Sequence, residues 1–202
     1  ATVEFEESEP SRLIECELHQ NLRVTAVQDA GGKVLDATRD ALNPLLVRVT
    51  LPDSVASGQK VKLTFEYSGL LANEAQSPVP GMRLAQIAAD GAYLLLPARW
   101  FPLTNYPANR YTGVFHLEVP QAFTVAGTGT GEGPAPVTAP RLTGPPVAAS
   151  QAAPAGRVVY TFHSDRPEAA GTFVAGALHL YPVRAEGLNI SVYAPVDGAE
   201  SA

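Results

Sequence analysis

Hydrophobic and polar residues alternate with a period of two along most of the chain. Residues 45–51 and 60–67 give the clearest runs, with an aliphatic or aromatic side chain at every second position. Because successive side chains of a strand point to opposite faces, this period indicates half-buried strands with one wet face. The first run is expected to stop at Pro52-Asp53, since proline cannot donate to a ladder. Further strands are expected at residues 2–6, 111–119, 157–162, 172–180 and 188–193.

No segment shows a sustained apolar period of 3.6 residues, so the sequence predicts an all-β fold. We expect a twisted antiparallel sandwich or saddle of about ten or more strands, in a single domain over residues 1–202.

Adjacent glycines indicate a turn at Asp29–Lys33. Residues 84–89 fit either a short strand or one helical turn. Residues 132–155 are rich in proline and alanine and lack alternation, which predicts a long flexible loop inside the domain.

A proline-punctuated stretch in the middle of the chain holds its only tryptophan. Residues 93–96 form a short apolar run, which predicts a strand buried on both faces. Prolines at positions 97, 102 and 107 then prevent a regular continuation. Arg99, Trp100 and Phe101 are therefore expected on an irregular bend. A Trp–Phe pair in such a bend is predicted to plug the core, with a ligand-facing role as the alternative.

Composition excludes several classes of function. Hydrophobic residues make up 46% of the chain and charged residues 17%, which is typical of a folded domain. A formal charge of −6 provides no electrostatic footprint for nucleic acid. No apolar run approaches the ~20 residues that cross a bilayer, so no membrane span is expected in this segment. Cys16 is the single cysteine and lies on an apolar face, which predicts a buried, unreactive thiol.

The search for catalytic groups gives mostly negative results. No two histidines stand one helical turn apart around a glutamate, as a zinc peptidase helix requires. His116 with Glu118, and His163 with Asp165, could share strand faces and meet as metal ligands, but alternating polar residues usually form a wet sheet face. The glycine-rich residues 127–133 are not followed by a helix that could bind phosphate. We therefore predict no catalytic residue, metal ligand or cofactor in this segment.

The central stretch carries a family resemblance. Arg99–Pro102, followed by Asn105–Pro107 and a strand that closes at Val119-Pro120, resembles the zinc aminopeptidases of peptidase family M-one. Asn105 stands where that family commonly has an aspartate. The similarity covers most of residues 45–195, and it extends to these segments: Phe123–Gly127, Thr161–Ser164, Thr172–Gly176 and Asn189–Pro195.

The resemblance implies a non-catalytic amino-terminal β domain. Its partner would be a catalytic domain of the same polypeptide, expected beyond residue 202, which would hold the zinc and bind the peptide substrate. Tyr93 and Arg99 would lie at the rim of the substrate cleft that the domain helps to wall. A secreted, periplasmic or membrane-anchored parent is expected rather than a cytoplasmic one. The alternative is a self-standing β-sandwich module that binds a protein or carbohydrate partner.

The resemblance also raises a question about substrate recognition. In that family a Gln or Glu near the end of the strand before the bend helps to hold the free α-amine of the substrate. Tyr93 stands there in this chain, and a phenol carries no charge at neutral pH. Gln86 and Asp90 lie nearby in sequence and could take the role only in another register. Weakened recognition of the amino end is therefore expected.

Overall fold

The computed structural model describes residues 1–71, 81–137, 156–185 and 187–195. These residues contain no α-helix, and one 3₁₀ turn at Leu96–Ala98 is the helical element among them, so the all-β prediction is confirmed. All the strand pairs found are antiparallel. The strands are β1 Thr2–Glu6, β2 Ser11–Glu17, β3 Leu22–Asp29, β4 Asp36–Arg39, β5 Leu46–Val55, β6 Lys60–Gly69, β7 Ala85–Ile87, β8 Gly91–Leu94, β9 Tyr111–Pro120, β10 Thr124–Gly127, β11 Thr130–Pro136, β12 Arg157–Glu168, β13 Phe173–Gly176, β14 Leu178–Ala185 and β15 Leu188–Pro195.

The chain divides into two compact units. The first comprises residues 1–86 and 95–109, and the second residues 87–94 and 110–202. Two three-stranded sheets build the first unit, in the orders β1-β6-β3 and β2-β5-β4. Their inward faces carry the side chains that the alternation marks as apolar, and the largest of these are fully buried. They include Phe65, Ile14, Leu18, Leu63, Val27, Val47 and Val49.

The second unit contains the sheet β11-β12-β9, the strands β10-β13-β8 and the two-stranded ribbon β14-β15. Phe173 is buried at the centre of an aromatic cluster. Its ring centroid lies 5.2 Å from that of Phe115 and 5.0 Å from that of Phe162, in tilted arrangements. Aromatic pairs at this separation stabilise a fold beyond the effect of the area they bury, so the cluster is an apolar core among the described residues of this unit.

The predicted strand at 172–180 is divided between β13 and β14, which belong to different sheets, and the predicted end of the strand at 45–51 is also wrong. Strand β5 does not stop at Pro52 but runs through it to Val55, because β2 shifts register between Ser11 and Leu13 and the ladder bypasses the proline. The Arg12 side chain donates to the carbonyl oxygens of Leu51 and Pro52 at 3.3 and 2.8 Å, which satisfies acceptors at this irregularity.

The predicted loop at 132–155 begins later than its composition suggests. Residues 132–136 belong to β11, whose register against β12 shifts between Glu132 and Ala135. An irregular edge strand tolerates glycine and proline, which explains why alternation is missing there. Residues 138–155 of the predicted loop lie outside the described part of the chain.

Two further expectations concern the stretch before the bend. Residues 85–87 form the short strand β7, so the strand alternative for residues 84–89 is the one observed. The predicted strand at 93–96 is in fact β8, which ends at Leu94 and is half-buried rather than buried on both faces. Leu96 already belongs to the 3₁₀ turn. The described residues include no helix long and apolar enough to cross a membrane.

Local predictions at the turn and the cysteine are confirmed. Gly32 has a φ of 80°, and the Asp29 carboxylate accepts hydrogen bonds from the backbone N–H groups of Gly31 and Lys33, both at 2.9 Å. Glycine adopts this left-handed conformation without a Cβ clash. Cys16 is 1% exposed, and burial raises the pKa of its thiol to about 12, which keeps it protonated and unreactive.

Candidate functional site

The bend that follows β8 is a single 3₁₀ turn closed by a left-handed residue. Pro97 lies in its first turn, where a missing N–H costs nothing. The backbone N–H groups of Ala98 and Arg99 donate to the carbonyls of Leu95 and Leu96, both at 2.9 Å. Arg99 ends the turn with a φ of 53° and a ψ of 47°. A non-glycine residue rarely adopts this region, so tertiary contacts must hold Arg99 there.

Three groups hold the Arg99 guanidinium. Its Nε donates to the Glu17 carboxylate at 2.5 Å, and its Nη1 donates to the Pro97 carbonyl at 3.0 Å. The guanidinium carbon lies 4.6 Å from the centre of the Tyr106 ring, a cation–π distance. Both charged side chains are about one-fifth exposed (18% and 23%), so little solvent screens the ion pair. The Glu17 carboxylate therefore neutralises the Arg99 charge within the first unit, and the predicted place of Arg99 at a cleft rim stays a prediction.

Backbone pairing connects the same bend to the end of β2. Glu17 and Leu103 form an isolated antiparallel bridge, with N···O distances of 2.6 and 3.0 Å. The His19 N–H donates to the Arg99 carbonyl at 2.8 Å. The bend is therefore a docked segment whose backbone groups are paired on both sides of Arg99.

Trp100 and Phe101, the predicted core plug, lie in edge-to-face contact. Their ring centroids are 4.7 Å apart with an interplanar angle of 75°. Phe101 is buried at 8% exposure, whereas Trp100 is half-buried. Phe101 is therefore the more deeply packed of the two, and the plug role of the pair stays a prediction.

Arg39 and His19 form a second polar cluster beside the bend. The Arg39 guanidinium donates to four backbone carbonyls, those of Leu18, His19, Leu22 and Pro44. Burial lowers the pKa of Arg39, although a guanidinium stays protonated at neutral pH. With carbonyl oxygens as its acceptors, this cation fixes the shape of the chain between β2 and β3.

His19 is held neutral by the same surroundings. It is 3% exposed, and its Nδ1 accepts a hydrogen bond from the Asn21 N–H at 3.1 Å, which places the ring proton on Nε2. Burial and, to a smaller extent, the Arg39 charge lower the pKa of His19.

The neutral state of His19 predicts a pH-dependent stability. Because its folded-state pKa lies below the unfolded value of about 6.5, the unfolded chain takes up this proton first as the pH falls. The free energy of unfolding should therefore decline below about pH 6.5, by at most ~1.4 kcal/mol per pH unit, until the folded-state pKa is passed. Urea unfolding at several pH values between about 7.5 and 5 measures this slope. His19→Gln should flatten it, and an unchanged slope in that variant would contradict the assignment.

Tyr93, the other predicted rim residue, lies in the second unit. It pairs with Val174 of β13, which in turn pairs with Ala126 of β10, so the three side chains share one face of the strands. The opposite face carries Phe173, which is buried. Val174 is 39% exposed, and Tyr93 and Ala126 are half-buried. Tyr93 and Arg99 therefore belong to different compact units, and a shared site stays a prediction.

The His–carboxylate pairs of the second unit are engaged in cross-strand contacts. His116 Nδ1 lies 3.0 Å from the Thr161 hydroxyl, and the Glu118 carboxylate accepts from Arg157 at 2.5 Å. His163 Nε2 lies 3.5 Å from a Glu132 oxygen. No three His, Cys, Asp or Glu side chains among the described residues are grouped as a metal site would require. The four-ligand alternative for His116, Glu118, His163 and Asp165 is therefore not formed.

The glycine-rich segment after β10 closes a loop onto β13. The Thr128 hydroxyl accepts hydrogen bonds from the N–H groups of Gly171 and Thr172 at 2.8 and 3.3 Å. The Thr128 N–H donates to the Thr172 carbonyl at 3.0 Å. Close approach explains the glycines of this segment, because a Cβ would lie within 3 Å of a neighbouring atom at Gly127, Gly129 and Gly131.

Sequence reasoning located the bend but missed the residues that hold it. Glu17 and Arg99 are 82 residues apart in sequence, so no local pattern connects them. Arg39 occupies a polar position of a strand, which gives no sign of its contacts. The described residues group no set of three ligands for zinc.

Of the comparisons with known proteins, only the one with solved structures gives matches. No protein-family profile and no curated protein sequence matches the chain. Among solved structures, an M1 zinc metallopeptidase from Deinococcus radiodurans, a mutant bound to a Tyr-Ser-Ala substrate, matches with a TM-score of 0.68 at 19% identity. The same enzyme without the mutation gives 0.67 at 19% identity. A two-domain M1 zinc metallopeptidase mutant bound to L-tryptophan gives 0.66 at 19% identity.

The three alignments have the same extent. Each covers 95% of this chain and 41% of the other, so the chain spans less than half the length of the proteins it resembles. At this level of identity the likeness establishes the fold. The chain thus has a β fold that forms part of M1 zinc metallopeptidases.

Proposed function

We propose that this chain is the non-catalytic amino-terminal β domain of a zinc metallopeptidase, where it packs on the catalytic domain and walls the substrate cleft. The fold match over 95% of the chain carries this proposal. The Arg99–Pro107 motif is a second line of support, because the motif is a feature of the sequence whereas the fold match compares backbones. The absence of a zinc ligand set among the described residues fits a supporting role beside a catalytic domain.

The bend gives the proposal a physical basis. A cleft wall must keep its shape while substrates bind, and rigid supports position functional groups better than mobile ones. The Glu17–Arg99 pair, the Glu17–Leu103 bridge and the backbone hydrogen bond from His19 to Arg99 fix the bend within the first unit. We infer that this rigidity is the contribution of the domain.

The proposal is tested by peptide hydrolysis with the complete polypeptide that contains this chain. We expect the complete protein to hydrolyse peptides and to lose this activity when a chelator removes its zinc. A complete protein without such activity, or one that binds a protein or carbohydrate instead, would favour the self-standing module.

Residues 1–202 alone should be inert as a peptidase and should bind no stoichiometric zinc. Tight zinc binding needs at least three well-spaced protein ligands, which the described residues do not group. Metal analysis of the segment, purified without a histidine tag, checks this. Near-unit zinc that disappears on replacing His116 or His163 would contradict it and restore the paired-ligand alternative.

Recognition of the substrate amino end should be weak in the complete protein. A buried ammonium needs a charged or strongly polar partner, and Tyr93 offers one neutral hydroxyl. Cleavage of one peptide with its amine free and acetylated should therefore differ by less than about tenfold, or ~1.4 kcal/mol. The prediction fails if the free amine is strongly preferred and that preference survives Tyr93→Phe but not Gln86→Ala or Asp90→Ala.

A further inference from the structure

The ribbon β14-β15 is the one sheet of just two strands among the described residues. Its register pairs Tyr181 with Val192 and Val183 with Ile190. A two-stranded ribbon is marginally stable in water unless an apolar face packs against another surface. The side chains on the two faces of this ribbon therefore indicate which face packs against another surface and what kind of surface that is.

Cross-strand partners share a face, so the register assigns each side chain to one of two faces. One face, which we call the aliphatic face, carries His179, Tyr181, Val183, Leu188, Ile190, Val192 and Ala194. Its large aliphatic members, Val183, Leu188, Ile190 and Val192, are between 42% and 63% exposed. The described side chains of this face include no Asp, Glu, Lys or Arg.

The opposite face is mixed. Leu180 and Tyr193 form a cross-strand pair there, and the same face carries Arg184 and Ser191 together with Leu178, Pro182 and Pro195. Charged and hydroxyl groups interleaved with apolar ones are typical of a face that stays in contact with water. The difference between the faces, rather than the number of exposed apolar residues, marks the aliphatic face for burial.

The size of the aliphatic face limits its partner. Each strand has eight residues, so the ribbon is about 26 Å long and, with two strands, about 10 Å wide. The face therefore covers roughly 260 Å², far below the ~800 Å² per partner of a stable protein–protein interface. A covalently connected domain needs no such area, because its effective concentration is high.

We propose that the aliphatic face docks onto the rest of the same polypeptide, against an apolar surface without charged groups. This inference rests on the proposed function, since it requires a further domain. The inference goes beyond the proposed function because it names the face that docks, the chemistry of the surface it docks onto and the face that stays in contact with water.

A matched pair of substitutions tests the assignment in the complete polypeptide. Val192 on the aliphatic face and Leu180 on the mixed face are equally exposed, at 42% each, in the same ribbon. Val192→Glu should release the domain from its neighbour, raising the rate of limited proteolysis between them at least tenfold and splitting thermal unfolding into two transitions. Leu180→Glu should leave the rate within twofold and the transition single. Ile190→Thr, a milder change, should give an intermediate rate.

The remaining outcomes are decisive as well. Equal effects of Val192→Glu and Leu180→Glu, or no effect of either, would overturn the assignment. So would sedimentation of residues 1–202 as a dimer that Val192→Glu dissociates, because the occupant would then be a second copy. A complete polypeptide whose further domain lacks zinc would reject the proposed function while the paired variants still tested the face. Circular dichroism of both variants of residues 1–202 checks that the ribbon substitutions leave the fold intact.

Discussion

Replacing Arg39 with methionine should lower the free energy of unfolding by about 2–4 kcal/mol. The substitution keeps much of the apolar stem but removes the guanidinium donors to the carbonyls of Leu18, His19, Leu22 and Pro44. The His19 carbonyl keeps the Leu22 N–H as a donor at 2.9 Å, so the loss falls mainly on the other three. Each part-buried carbonyl that loses its partner costs roughly 1–3 kcal/mol, less where water can reach it. Urea unfolding followed by circular dichroism measures the loss.

Two control variants separate geometry from charge in this prediction. Arg39→Lys keeps the charge but loses the planar fork of donors, so it should recover less than half of the stability. Arg23→Met, at an exposed arginine of β3, should change the stability by less than about 0.5 kcal/mol. If Arg39→Met unfolds like the wild type, the guanidinium does not hold the segment between β2 and β3.

Phe173→Ala should destabilise the protein by about 3–5 kcal/mol, the usual cost of removing a buried aromatic ring. Phe173 is 3% exposed and is the ring that contacts both Phe115 and Phe162. Its removal leaves a cavity at the centre of the cluster, which neighbouring side chains fill only in part. Chemical unfolding of the purified variant gives the value, and a loss below about 1 kcal/mol would contradict this role for the cluster.

Gly127 provides an independent test of the same packing. A Cβ at this position would lie 2.1 Å from a ring carbon of Phe173 and 2.6 Å from the Thr172 carbonyl oxygen. Gly127→Ala should therefore cost about 1–3 kcal/mol, and less in the Phe173→Ala background, where only the carbonyl contact remains. Gly133→Ala is the matched control, since a Cβ there meets nothing within 4 Å. Additive effects of the two substitutions would show that Gly127 and Phe173 do not contact.

The strands were predictable because their pattern is local. In β2 and β6 every second side chain is apolar, and Ile14, Cys16, Leu63 and Phe65 are all fully buried. Such alternation follows from the geometry of one strand and its two faces. The bend was predictable for the same reason, since prolines at positions 97, 102 and 107 recur too closely for a long helix or strand to form there.

The contacts that hold the candidate site were not predictable. Glu17 and Arg99 meet because β2 and the bend lie side by side, and no local pattern records which carboxylate a given arginine will reach. The continuation of β5 through Pro52 likewise depends on a register shift in the partner strand. Composition alone also placed residues 132–136 in a loop, although the edge of β12 recruits them as a strand.

The proposed function makes one central claim, that this chain supports a zinc site it does not itself contain. Native mass spectrometry of the complete polypeptide and of residues 1–202, prepared side by side, tests this claim most directly. We predict one zinc ion per complete chain and none on the segment, because the described residues group no set of three ligands. A complete polypeptide without zinc, or a segment that carries one zinc ion per chain, would contradict the account.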